Sequence, residues 1–441
     1  MTFEKGTRIR LSIEKIVYPG RRLARHEGRV YFTDEGLPGE TVEIEILKER
    51  ASFVEARTTA VLSPSPRRIP ARCGHFSACG SYQVLPYSEQ LDLKKSQLRE
   101  MFRRLGTGPL FEPEVTASPL EWNYRNKIRF SVRGSGPDAF LAYHSPGSRA
   151  AFVSTDGRCH LASEASCAAA RTVLEAVRDG GLTDLEDVEA RESRTEGTLL
   201  LNLFWRKRRP EKAAAAVRDA LAARFPVSGL VSWAPGRSGR SLPFLEDGRE
   251  ILLERAAGLT FEIGAGSFFQ VNGAILPLVL EAVSEAAGLR GREIVADVYS
   301  GVGTFGLALA RSAARVFVIE SFPDNVRRLE ANIVRNGLGN VEVLDGSAEA
   351  WMKDLAGRGL DTVILDPPRK GLGPAVVRAL IERPAGKIIY LSCNPATLIR
   401  DLGLLGAAYV PASVRLFDFF PQTPHIETLA VHAGHQVDPT S

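Results

Sequence analysis

Beyond about residue 256 the chain falls into a strict rhythm. Short apolar runs at 294–299, 316–320, 341–345, 362–366 and 387–391 are each followed by residues with helical spacing. Apolar strands that alternate with helices are buried on both faces, and few architectures satisfy that besides a doubly wound parallel sheet. Ligands of such sheets sit at the carboxyl ends of the strands. The conspicuous polar motifs of this chain fall at those ends, so the sheet and its chemistry are read together.

The run Lys387-Ile388-Ile389-Tyr390-Leu391 leads into Ser392-Cys393-Asn394-Pro395-Ala396-Thr397. Asn394 suits a helix cap and Pro395 a first helical turn, where a missing N–H costs nothing. Cys393 is therefore expected where a strand ends and a helix begins, and the partial positive charge there favours thiolate over thiol. Such a cysteine is a candidate nucleophile; a buried cysteine that only fills space is the alternative.

Three further motifs surround it. Asp297-Val298-Tyr299-Ser300-Gly301-Val302-Gly303-Thr304-Phe305-Gly306 is a glycine-rich strand-to-helix turn that lets backbone approach a nucleotide. Glu320 ends the next strand 19 residues after Gly301, as expected for an acid on ribose hydroxyls, and suits NAD as well as S-adenosylmethionine. Asp366-Pro367-Pro368-Arg369 makes a stiff loop with a carboxylate facing the cleft. Amino-directed nucleic-acid methyltransferases place a stacking aromatic where this chain has Arg369, which disfavours an exocyclic nitrogen as target. Last, Asp418-Phe419-Phe420-Pro421-Gln422-Thr423-Pro424-His425-Ile426-Glu427 reads as a hairpin turn at the sheet's edge, where a lone Glu is ordinarily solvent-exposed. Beside a nucleophilic cysteine, Glu427 can serve as a general base.

The N-terminal part follows other periods. Residues 5–62 alternate in period two, with Gly20, Gly28, Gly36 and Leu37-Pro38-Gly39 as turns, which implies a small β-barrel whose loops carry arginines. Ser63-Pro64-Ser65-Pro66 reads as a linker. Cys73 and Cys79 form a C-x5-C pair, with Cys159 and Cys167 far downstream. Two close thiols and a distant one are a layout that iron–sulfur clusters use, although a cluster ordinarily takes four; unligated thiols in a turn are the alternative. Leu91, Leu98, Met101, Phe102 and Leu105 give residues 86–105 the spacing of one amphipathic helix. Trp122 to Phe130 interleaves aromatics with cations, which suits base stacking and phosphate contact or a strand with one core face. Residues 213–225 read as a helix.

Charge and composition set the surroundings. The net charge of the 441 residues is only +4, but Arg21-Arg22 with Arg25, Arg67-Arg68 with Arg72, Arg125 to Arg133 and Arg206 to Arg209 cluster before residue 210. Clustered cations suggest a polyanion, and a solvated charged face is the plain alternative. No uncharged apolar run of about 18 residues and no secretory leader is evident, so no membrane span is expected. Five cysteines, few and odd in number, point to a reducing cytoplasm.

Together the motifs suggest one reaction. Carbon 5 of uracil is a poor nucleophile until a thiolate adds to carbon 6 and turns the ring into an enolate. That route needs a cysteine, a base, a methyl-donor site and a carboxylate for the pyrimidine edge, and all four are present. The rival readings are methylation of an exocyclic nitrogen or a small molecule, and an RNA-binding chaperone with a degenerate enzyme domain.

At these residues the sequence resembles the RNA 5-methyluridine methyltransferase family, the rRNA and tRNA uracil-C5 enzymes. The matching stretches are 261–272 with Ser267-Phe268-Phe269-Gln270-Val271-Asn272, 297–306, 366–371, 392–397 with Asp401, and 420–427. His26-Glu27-Gly28-Arg29-Val30 and Leu37-Pro38-Gly39-Glu40 look like the family's TRAM barrel, and residues 73–160 resemble its central domain. The resemblance implies Cys393 as nucleophile, Glu427 as base, and Gln270, Tyr299, Glu320 and Asp366 around S-adenosylmethionine. It also implies a cluster loop of C-x5-C-x2-C plus a later cysteine. Cys73, Cys79 and Cys159 match three positions, but Gly80-Ser81-Tyr82-Gln83 stands where the third thiol belongs, so no intact four-iron, four-sulfur cluster is expected.

The resulting expectation is an α/β protein with a Rossmann-like methyltransferase domain at 256–441, preceded by a TRAM-like (OB-like) β-barrel at 1–62. Between them lies a mixed α+β RNA-binding domain at 63–255, whose helix 86–105 can pack on the catalytic domain. The partner is RNA, with 23S rRNA favoured over tRNA because the family's tRNA enzymes often lack the barrel. A cytoplasmic monomer is expected.

Overall fold

The computed structural model describes residues 6–104, 112–145, 151–155, 157–179, 182, 184–208, 211–236, 239 and 241–434. The chain forms two compact units. One comprises Met1–Gln97, Ala142–Thr155 and Phe420–His425; the other comprises Leu98–Leu141, Asp156–Phe419 and Ile426–Ser441. Among the described residues no helix is long and apolar enough to cross a membrane.

The first unit is built on a barrel-like sheet of six strands. In order across the sheet these are Arg8–Ser12, Thr41–Glu49, Val54–Ser63, Arg29–Thr33, Arg21–His26 and Lys15–Val17. Alternation sets the faces: Val42, Ile44 and Ile46 point into a core with Leu11, Ile13, Tyr31 and Val54, while Glu43 and Glu45 lie outside. The arginines at 21, 22 and 25 are on a strand rather than in a loop, because Leu23 and Ala24 continue the barrel wall. Arg22 is buried and donates to the carbonyls of Gly20, Gly36 (3.2 Å) and Ser81 (2.8 Å), so it holds the fold together instead of facing a polyanion. Nor is the Ser-Pro segment a free linker. The buried Glu40 carboxylate accepts from the backbone N–H of Leu37 (2.6 Å) and Ser65 (2.9 Å), and from Arg68 (2.7 and 2.8 Å).

The helix expected over 86–105 spans Tyr87–Arg103, and Leu105 lies outside the described residues. Its buried positions include polar side chains that the apolar spacing did not reveal. Gln90 exchanges two hydrogen bonds with Gln422 (2.7 and 2.8 Å), Lys94 donates to the carbonyl of Phe420 (3.0 Å), and Gln97 donates to that of Ile16 (2.9 Å).

In the second unit, strands Lys127–Arg133, Leu185–Ser193, Thr198–Trp205, Val227–Pro235 and Ser241–Gly248 lie side by side in that order. Helix Glu164–Arg178 packs on Leu185–Ser193, and helix Glu211–Ala222 packs on Val227–Pro235. The helix expected over 213–225 is thus set two to three residues earlier. Arg209, in the cation cluster, lies outside the described residues.

Besides the two-stranded sheet of Ile251–Ala256 and Leu259–Gly264, there is a sheet of eight strands: Val341–Asp345, Arg315–Glu320, Ile294–Val298, Thr362–Leu365, Lys387–Ser392, Glu427–Gly434, Tyr409–Phe417 and Glu114–Thr116. The first five are parallel and are the five expected from the apolar runs. Every residue of Thr362–Leu365 and of 388–391 is buried, as a strand covered on both faces requires. Glu427–Gly434 then inserts antiparallel between Lys387–Ser392 and Tyr409–Phe417. Glu427 therefore opens an interior strand and is only 8% exposed, not a solvent-facing residue of an edge turn.

Candidate active site

Strand register brings the cysteine and the glutamate together. Ser392 pairs with Thr428, so Cys393, which follows the one, and Glu427, which precedes the other, come together just past the last paired rung, where the Glu427 charge acts on the thiol. On the other side Leu365 pairs with Tyr390 and with Val298, which places Asp366 between Tyr299 and the cysteine strand. The helix Pro395–Leu405 starts as expected, with the Asn394 side chain accepting from Ala396 N–H (3.3 Å) and proline in the first turn.

The stiff loop is bound to that helix. The carbonyl of Arg369 accepts from Asn394 Nδ2 (3.0 Å) and Thr397 Oγ1 (3.3 Å), and that of Lys370 accepts from Arg400 (2.9 Å). Beneath them the buried Asp401 carboxylate accepts from Tyr390 Oη (2.8 Å) and Leu372 N–H (2.8 Å). The loop thereby holds the Arg369 guanidinium against the Cys393 thiol.

Electrostatics in the site run against one expectation. The thiol of the half-buried Cys393 is pushed up to about 11, not down. Burial is the largest cause and the Glu427 charge the next; Arg369 opposes them without prevailing. A helix start offers about half a unit charge, too little against burial and neighbouring carboxylates. Glu427 is itself raised well above the carboxylate range, by burial and then by Asp366. Asp366 is raised to about 7 by burial and by Asp297, and Asp297 to about 7 by burial, with Glu320 adding to it. Four carboxylates and a thiol thus form one coupled chain.

The glycine turn follows the neighbouring strand Ile294–Val298 at the same end of the sheet. Tyr299 follows its strand with φ +69°, a left-handed conformation that costs energy in a residue with a side chain. Its hydroxyl is bonded to Gly373 N–H, and burial pushes the phenol up to about 12. Gly306 is required by close approach, since a Cβ there would stand 2.8 Å from Asp297, whose Oδ2 accepts Gly306 N–H (2.7 Å). Around Gly301, by contrast, a Cβ would meet nothing within 4 Å, which leaves room for a nucleotide beside the backbone. Glu320 ends the adjacent strand and accepts from the N–H groups of Gly301 (2.9 Å), Ser321 (2.7 Å) and Phe322 (2.7 Å).

Gln270 is half-buried in the loop after strand Leu259–Gly264. Asn126 Nδ2 donates to its carbonyl (3.2 Å), and the buried Asn272 donates to Ser118 Oγ (3.0 Å) and to the carbonyl of Phe419 (3.1 Å). The loop is fixed, but no hydrogen bond or ion pair joins Gln270 to the other candidate residues among those described. Reading the sequence missed Asp297 as a member of the coupled chain. Its signal was available: a carboxylate preceding the glycine turn at the end of an apolar strand.

The cysteine loop stands in the first unit. Cys73 and Cys79 are half-buried beside the short helix Phe76–Cys79, and their thiols are hydrogen-bonded. Gln83, from the segment where a third thiol was expected, donates Nε2–H to Cys73 Sγ (3.4 Å). Hydrogen bonding, first from Cys79, then from His75 and Gln83, brings the Cys73 thiol down to about 4. Cys159 is buried, and Cys167 donates to its carbonyl (3.7 Å). Two thiols and an amide do not fit a four-iron, four-sulfur cluster. Among the described residues no group of three or more His, Cys, Asp or Glu is placed to hold a metal ion.

Known proteins resemble this chain along most of its length. The family model described as tRNA (uracil-5-)-methyltransferase matches residues 86–432, and that of the TRAM domain matches residues 2–59. An uncharacterized RNA methyltransferase of Nitratidesulfovibrio vulgaris is 31% identical over 465 aligned positions, covering 100% of this chain and 98% of that protein. One from Listeria monocytogenes is 30% identical, covering 97% and 98%. Among solved structures, the Pyrococcus abyssi tRNA (uracil-54, C5)-methyltransferase in complex with S-adenosyl-L-homocysteine superposes with a TM-score of 0.75 at 25% identity, covering 96% of this chain and 100% of that one.

Proposed function

Because the chain belongs to the tRNA (uracil-5-)-methyltransferase family, we propose that it methylates carbon 5 of a specific uridine in RNA through a transient bond between Cys393 and carbon 6. The observation that carries this reading is the juxtaposition of Cys393 and Glu427, with Asp366 and Arg369 alongside. Gln270, Tyr299, Glu320 and Asp366 would hold S-adenosylmethionine, which would supply the methyl group by cleavage of its sulfur–methyl bond and leave as S-adenosylhomocysteine.

The residues then act as follows. The target uridine is turned out of its stack into the cleft. Cys393 releases its proton to solvent, and Arg369 stabilises the thiolate as it adds to carbon 6. The displaced electron pair reaches O4 as an enolate and makes carbon 5 nucleophilic. Asp366 holds the pyrimidine edge. Once carbon 5 carries the methyl, the Glu427 carboxylate takes its remaining proton, and the carbon–sulfur bond breaks to return the thiolate. A carboxylate displaced upward is a stronger base once ionised, which suits removal of a proton from carbon. Both thiol and carboxyl must lose protons, so turnover rises with pH through the neutral range.

The RNA is read as 23S rRNA, supported by the TRAM domain; the Pyrococcus abyssi neighbour, a tRNA enzyme by its title, supports tRNA as the second reading. The protein acts as a cytoplasmic monomer, and its Cys73–Cys79 loop carries no four-iron cluster. Iron content near four per chain after anaerobic purification would overturn that last statement. The function is tested by mapping 5-methyluridine in rRNA and tRNA from cells with and without the gene. Loss of one such residue is expected; no loss in either RNA sinks the reading. Cys393→Ala lowers methylation by at least about 10⁴-fold, and full activity in that variant removes the covalent route.

A further inference from the structure

The strand Lys127–Arg133 resolves the aromatic and cationic interleaving seen in the sequence. Tyr124, Ile128 and Phe130 are buried core, so none of them is a stacking surface. Arg129 points the other way, and its guanidinium carbon lies 3.7 Å from the centre of the Phe204 ring. Phe204 in turn stacks on Trp233, with planes 18° apart and centroids at 6.0 Å. Three strands thus contribute one rung each to a cation–aromatic–aromatic pile.

The pile is fixed before anything binds. Arg129 donates to Asp187 Oδ2 (2.7 Å), while Ser131 Oγ donates to the other oxygen of the same carboxylate (2.7 Å). Trp233 Nε1–H donates to Asn202 Oδ1 (2.9 Å), and Asn202 Nδ2 donates to Glu189 (2.9 Å) and to the carbonyl of Ala265 (3.0 Å). Yet the outermost layer is open to solvent, for the Arg129 side chain is 46% exposed. Arg206 and Lys207 follow Phe204 closely in the chain and are each 69% exposed, Arg206 beside Glu186 and Lys207 beside Asp184. A flat guanidinium with a rigid aromatic backing and exposed cations nearby is matched to one kind of partner: an unpaired base with its phosphates.

We infer that the Arg129–Phe204–Trp233 pile seats one unpaired base of the bound RNA, stacked on the outer face of the Arg129 guanidinium, with Arg206 and Lys207 serving the adjoining phosphates. The inference rests on the RNA reading above and adds a stacking subsite on the central sheet. Stacking of this kind is sequence-tolerant, so a plain probe is sufficient.

The test measures fluorescence anisotropy of a labelled 20-nucleotide oligouridylate with the full chain. Arg129→Ala should weaken binding about tenfold. Arg129→Lys keeps the charge but loses the plane, and should bind nearly as poorly; Phe204→Leu, which removes the backing, should also weaken binding. Equal melting temperatures exclude a folding defect. An Arg129→Lys variant that binds like the wild type, or an Arg129→Ala variant within twofold of it, overturns the stacking seat. Formation of 5-methyluridine by the unaltered chain is followed in parallel. If the Arg129 effect is seen while no 5-methyluridine forms, the proposed reaction fails and the seat stands. If 5-methyluridine forms normally and Arg129 has no effect, the seat fails alone.

Discussion

Two of the carboxylates that this molecule withdraws from water behave in opposite ways. Glu40, in the barrel unit, is fully buried, and burial alone would raise its carboxyl; Arg68 and the N–H groups of Ser65 and Leu37 overcome that and hold it below the usual range. Glu427, at the rim of the other unit's sheet, is nearly as buried, but burial and the neighbouring Asp366 raise it and only Arg369 opposes them. No hydrogen-bond donor serves its carboxylate among the described residues. Burial therefore does not by itself decide which way a carboxyl is displaced. The donors placed around it do, because hydrogen bonds and a paired cation favour the charged form that burial penalises.

That contrast can be attacked directly. The largest effect is expected for Glu427→Gln. Turnover should fall by roughly 10²–10⁴-fold, the scale of a lost general base, with folding intact. A protein–RNA adduct should accumulate on denaturing gels, and its absence would count against the base assignment. A second test uses Asp297, another cleft acid that burial raises, to about 7 from an ordinary 3.8. Its folded form keeps the proton that the unfolded chain releases. The resulting stability is complete below about pH 4 and is lost as pH rises through about 7. Asp297→Asn cannot titrate, so it should gain on the wild type between pH 5 and pH 8, by about 4 kcal/mol at most. A melting-temperature difference that stays flat with pH would break the comparison.

For Glu40→Gln the expected loss reverses in kind. Arg68 loses its buried partner, and stability should drop by about 3 kcal/mol, measured by denaturant unfolding, while the folded fraction keeps its activity at Cys393. Smallest of all is Arg57→Ala, which removes an exposed 2.8 Å pair with Glu45 on the barrel's outer face. It should change stability by about 0.5 kcal/mol or less. A larger change there would mean that surface pairing, not buried compensation, governs the barrel.

Much of this was legible in the residue order, for reasons that are local. Apolar runs at 294–299 and 387–391 announce strands covered on both faces, and Asn394-Pro395 announces a helix start; both signals lie within a few residues. Alternation at 42–46 likewise fixed the barrel faces. What stayed hidden depends on register between distant segments. Nothing around Arg22 says that Gly36 and Ser81 will offer it carbonyls. The interior position of Glu427 follows from pairing with Lys387–Ser392, some 40 residues earlier. The upward displacement of Cys393 comes first from burial and then from Glu427 and Asp366, none of which a one-dimensional reading of the helix start supplies. Phe204 and Trp233 carried no motif at all, because a pile of side chains from three strands exists only once the strands are side by side.

One detail of the cleft has a wider reach. The carbonyl of Arg369 is gripped by both Asn394 and Thr397, the residues that open the cysteine's own helix. Anyone transplanting the proposed nucleophile onto another scaffold would have to carry the proline-stiffened segment along with it, since these hydrogen bonds tie the segment to the helix start. The two are a single cartridge.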